Sequence, residues 1–90
     1  MKVWMHPIEV IAFFDSQGLP RPLRYRWQAK DQPHHEPVIV KVDRILQQHE
    51  EKLAGNRMLV YRCQSVMHDL ERVYELKYEL STCKWFLFKM

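Results

Sequence analysis

The sequence predicts an all-β fold: about six antiparallel strands in a meander, rolled into a small, partly open barrel. Three observations carry this. Apolar and polar residues alternate at a period of two, as in Leu23-Arg24-Tyr25-Arg26-Trp27 and from Tyr74 to Leu80. Turn chemistry separates such runs, as at Asp15-Ser16-Gln17-Gly18 and Gly55-Asn56. The chain has 90 residues, 47% hydrophobic and 12% aromatic, enough for one core and therefore one domain over residues 1–90. A flat sheet of this size would leave an apolar face and two edges in water, so it should curl.

The first strand runs from Pro7 to Phe14. Ile8, Val10, Ala12 and Phe14 share one face; Glu9, Ile11 and Phe13 share the other. Pro20 and Pro22 then lead into a strand with Leu23, Tyr25 and Trp27 inward and Arg24 and Arg26 outward. Residues 28–37 are polar, carry two prolines and read as a surface loop. Val38 to Val42 is a strand. Residues 43–54 admit two readings. Asp43 could cap a short helix with Ile45, His49 and Leu53 on one face and Gly55 at its end. The favoured alternative extends the strand to about Gln48, followed by a loop over Glu50 to Asn56. Arg57 to Val66 is its hairpin partner, and His68-Asp69-Leu70-Glu71 turns the chain. Val73 to Leu80 and Lys84 to Met90 complete the set, joined by Ser81-Thr82-Cys83.

Glu51-Lys52-Leu53-Ala54-Gly55-Asn56-Arg57-Met58, Arg62-Cys63-Gln64-Ser65 and the run from Tyr74 to Leu87 (YELKYELSTCKWFL) resemble a family of short uncharacterised proteins from clostridia and their relatives. Arg24 to Trp27 and the first strand resemble it more loosely. A fainter likeness runs to small bacterial β-domains found beside lesion-bypass DNA polymerase genes. It rests on an aromatic-rich strand, a later Tyr-Glu-Leu and a closing Trp. The Trp expected after the middle strand in those domains is missing here. Neither resemblance implies a catalytic residue or a cofactor; the second implies a link to DNA.

Net charge is +3, from 14 Lys plus Arg against 11 Asp plus Glu, spread evenly along the chain. No block of one sign marks a nucleic-acid or membrane stripe. Cys63 and Cys83 read as reduced thiols of a cytoplasmic protein, because no apolar leader follows Met1. The longest apolar run, Val10 to Phe14, is too short to cross a membrane.

Catalysis is not expected. His34-His35-Glu36 lies between prolines, and neighbours on an extended chain diverge, so no metal site is assigned. Two glycines cannot build a phosphate loop, and no Gly-x-Ser-x-Gly elbow is present. No cofactor is implied. The expectation is a small binding or assembly module that engages protein, a second copy first. Its interface would use the apolar surplus of the first and last strands: Ile11, Phe13, Phe86, Phe88 and Met90. The alternative is a nucleic-acid-associated domain using Arg24, Arg26, Lys41, Arg62 and Lys77. In a neutral arrangement, Arg24 and Arg26 would instead pair with Glu75 and Glu79.

Overall fold

A computed structural model describes residues 3–28 and 36–89, with side chains from Met5 onward. Every regular element in it is a strand. They are β1 (Val3–Phe14), β2 (Pro20–Trp27), β3 (Val38–Lys41), β4 (Arg44–Leu53), β5 (Asn56–Met67), β6 (Leu70–Glu79) and β7 (Lys84–Lys89). All neighbours pair antiparallel in the order β3-β2-β1-β7-β6-β5-β4. The result is an open, curled half-barrel.

The curl follows from one connection. β3 and β4 sit at opposite edges of the sheet, yet only Val42 and Asp43 separate them. The two edges must therefore meet there. Val42 N donates to the Leu23 carbonyl of β2 (2.9 Å), and Asp43 N donates to the Gln64 carbonyl of β5 (3.0 Å). The chain thus changes ladders between successive residues. Two side chains stand in for the missing β3–β5 ladder. Ser65 Oγ donates to the Lys41 carbonyl (2.6 Å), and Val66 N donates to Asp43 Oδ2 (2.9 Å). The expected single strand from Val38 is consequently two, and the count rises from six to seven.

Residues 43–54 form no helix. β4 continues through Leu53, past the expected end near Gln48, because β5 offers it a full-length partner from Asn56 to Gln64. The turn is Ala54-Gly55, with φ of 51° and 83°, a two-residue hairpin turn one position earlier than expected. His68 and Asp69, at φ 51° and 65°, close β5–β6 in the same way.

The concave side holds the core: Tyr25, Val40, Leu59, Tyr61, Cys63, Tyr74, Leu76, Tyr78, Trp85 and Leu87. It is aromatic-rich. Tyr25 meets Tyr74 edge-on at 5.5 Å, and Trp85 lies 5.5 Å from Tyr61 and 4.8 Å from Tyr78. The Tyr61 hydroxyl donates to the Pro20 carbonyl, tying β5 to the start of β2. Leu23 departs from its expected inward direction. The β1–β2 register passes from Ile11↔Arg24 to Ala12↔Pro22, so Leu23 is the extra residue of a bulge and is exposed.

Candidate interaction face

β1, β2 and β3 present their convex side to solvent. Cross-strand register sets its rows: Phe13 opposite Arg21, Ile11 opposite Arg24 opposite Lys41, and Glu9 opposite Arg26 opposite Ile39. Opposed side chains on one face lie about 5 Å apart at Cβ. Three large apolar residues stand in water there: Ile11 (64% exposed), Phe13 (59%) and Ile39 (68%). Between Ile11 and Ile39 is a shallow depression of ≈ 400 Å³, walled also by Glu9, Arg24 and Arg26.

The charges on this face are unbalanced. Glu9 is occupied by Arg26, whose Nε donates at 2.8 Å and whose second guanidinium nitrogen also bonds the carboxylate. Among the described residues Arg21, Arg24 and Lys41 have no carboxylate partner. Arg24 and Lys41 are moreover direct cross-strand neighbours, an arrangement that destabilises a sheet. The anticipated pairing of Arg24 and Arg26 with Glu75 and Glu79 does not occur. β2 and β6 are separated by β1 and β7, Glu75 lies by Arg62, and Glu79 accepts from Asn56 (2.9 Å) and Thr82 (2.6 Å).

The structure therefore brings together Arg24, Arg26 and Lys41 with Ile11 and Phe13, and adds Arg21 and Ile39. It separates the other candidates from them. Arg62 projects from β5, 3.8 Å from Glu75. Lys77 is buried at 5% exposure on the convex side of β6; its ammonium bonds Glu51 at 2.7 Å and caps the Phe88 ring at 3.7 Å. It is a structural cation, unavailable to a ligand. Phe86 and Phe88 are half-buried in β7. Met90 lies outside the described residues, as do His34 and His35.

Of the residues that join the face, Ile39 was legible, since it alternates with Lys41 in Val38-Ile39-Val40-Lys41. Arg21 was not, because the Leu23 bulge reverses the parity between it and Arg24.

No family model, curated protein or solved structure matches this chain. The geometry must speak for the site. Among the described residues no three His, Cys, Asp or Glu side chains are grouped to hold a metal ion. Both cysteines are free thiols. Burial pushes the Cys63 thiol up to about 12, which keeps it protonated and unreactive at neutral pH. What the convex face can offer is apolar contact flanked by uncompensated positive charge.

Proposed function

We propose that this protein is a non-catalytic binding module whose β1–β3 convex face docks a protein surface carrying acidic and apolar groups. One observation carries the reading: among the described residues Arg21, Arg24 and Lys41 have no ion-pair partner, and they stand among exposed Ile11, Phe13 and Ile39. Burying those apolar side chains would supply affinity at about 25 cal/mol per Å² removed from water, and the cations would select an acidic partner. Face-to-face pairing with a second copy sets the same three free cations against themselves, which opposes an isologous dimer through this face.

A second reading, single-stranded nucleic acid, is favoured by the same three cations around Phe13. Stacking needs aromatic faces. Ile11 and Ile39 have none, and that weighs for protein.

The test titrates two probes, an acidic amphipathic helical peptide of glutamate and leucine and a thymidine oligonucleotide, while backbone NMR shifts report on β1–β3. Two double variants separate the readings. Arg24→Glu/Lys41→Glu should abolish binding of either probe. Ile11→Ser/Ile39→Ser should weaken the peptide at least tenfold and leave the oligonucleotide nearly unchanged. Peptide binding that ignores both variants overturns the proposal. So does a salt-insensitive dimer by light scattering that buries this face.

A further inference from the structure

β4 is a ten-residue edge, Arg44–Leu53, paired with β5 along one side only. Among the described residues no strand pairs with its other side, so backbone groups stand unpaired there over about 34 Å. The opposite edge, β3, has four residues and follows Pro37, which donates no backbone hydrogen bond. β4 contains no proline.

Beside the first half of β4 lies a cleft of ≈ 530 Å³, whose other wall is the start of β2. Both walls carry a bulge at this point. The β1–β2 register skips Leu23, and the β4–β5 register skips Leu46. Bulges bend their strands and interrupt pairing. β2 and β4 therefore do not join here, and a slot stays open between them. Leu23 and Leu46 both line it and are 41% and 43% exposed. Arg21 and Arg44 line it too, with no ion pair among the described residues. The one acid of the cleft, Asp43, already accepts from Val66 N.

We infer that this slot takes an extended, acidic peptide that adds as a strand to β4, with an apolar side chain against Leu23 and Leu46 and carboxylates on Arg21 and Arg44. Strand addition supplies main-chain hydrogen bonds, and the flanking side chains supply selectivity. The β4 strand of a second copy fits less well. Its centre is Gln47, Gln48 and His49; its Glu50 is held by Arg57 at 2.7 Å and its Glu51 by Lys77 at 2.7 Å.

The probe is a fluorescent peptide, Thr-Val-Glu-Leu-Glu-Val-Thr, titrated into the full chain by anisotropy, with amide exchange read in parallel. Saturable binding with slowed exchange along β4 is expected. Lysine in place of both glutamates, or Arg44→Glu in the protein, should weaken binding about tenfold or more. Alternate N-methylation of the peptide should abolish it, since the methylated edge cannot pair. The inference is overturned if the parent peptide does not bind, if the N-methylated peptide binds equally, or if protection falls on β1–β3 rather than β4. A dimer that Arg44→Glu dissociates would also overturn it, by making a second copy the occupant.

Discussion

Alkali should unfold this protein through its own tyrosines. All four tyrosines of the chain, Tyr25, Tyr61, Tyr74 and Tyr78, are buried in the core. Burial pushes Tyr61 and Tyr74 up to about 12 from an ordinary 10.0, and raises Tyr25 as well. It pushes Cys63 up to about 12 from 9.0. Each group is neutral and tolerated while protonated, so its folded value lies above its unfolded one. The stabilisation is intact below the unfolded value and is lost as pH rises toward the folded one, because the unfolded chain sheds the proton first. At about pH 10 the loss is on the order of 1 kcal/mol from Cys63, whose ordinary value is lowest, and smaller from each phenol. At about pH 11 the combined loss reaches about 7 kcal/mol, comparable to the whole stability of a domain this size. Denaturant unfolding followed by tryptophan fluorescence, with tyrosinate absorbance in parallel, should show both signals change together in one steep transition between about pH 10 and 11. Tyr61→Phe tests the cause. It loses the bond to the Pro20 carbonyl, costing about 1 kcal/mol near neutrality, but removes one titrating group, so its deficit should vanish near the transition. Phenols that titrate near their ordinary value in a still-folded protein would refute the reasoning, as would parallel stability curves for parent and variant.

Two further outcomes follow from single contacts. Glu51→Ala leaves the Lys77 ammonium, with 7% of its side chain exposed, without its carboxylate. It should cost about 2–3 kcal/mol, less than a fully buried pair because Glu51 is itself a quarter exposed; Lys77→Met should be near neutral, both read as denaturant midpoints. Ala54 sits at φ 51° in the β4–β5 turn, a conformation that costs a residue with a Cβ and suits asparagine; Ala54→Asn should raise stability by about 0.5–1 kcal/mol, seen as a higher melting temperature.

The period-two pattern revealed those parts of the fold where one face packs and the other is wet. Tyr25 inward and Arg24 and Arg26 outward are local consequences of alternation, as is the split of Ile8, Val10 and Ala12 from Glu9, Ile11 and Phe13, and the structure has them so; that Ile11 and Phe13 stand in water, when an apolar strand on both faces should be covered on both, is not in the alternation. Leu23 and Leu46 broke the pattern because bulges belong to register, which two strands decide together. The end of β4 looked like loop because Gln47 to Lys52 holds no apolar residue; an edge strand needs only one partner and tolerates polar side chains on both faces. Lys77 looked like an outward cation because its strand position is outward. Its burial comes from Phe88 of the adjacent β7 and Glu51 of β4, beyond β5, which no local reading of β6 could supply.

The proposed binding role accounts for a convex face that stability alone does not favour. On the outward face of β5–β6 the same fold answers its cations with acids: Arg62 has Glu75 and Lys77 has Glu51; at the β5 end Arg57, opposite Lys52, is answered by Glu50, whose carboxyl that hydrogen bond holds below its usual value. On β2–β3 it sets Arg24 against Lys41 and leaves Ile11 and Ile39 wet beside them. Like charges directly opposed destabilise a sheet, and one acidic residue at position 41 would reverse the sign. Exposed isoleucines on a strand that could carry threonine gain nothing for folding either. In the proposed reading, like charges opposed beside wet aliphatic groups are what a binding surface costs its fold. The unpaired charge and the wet aliphatic groups share one remedy, an acidic and apolar partner that covers both.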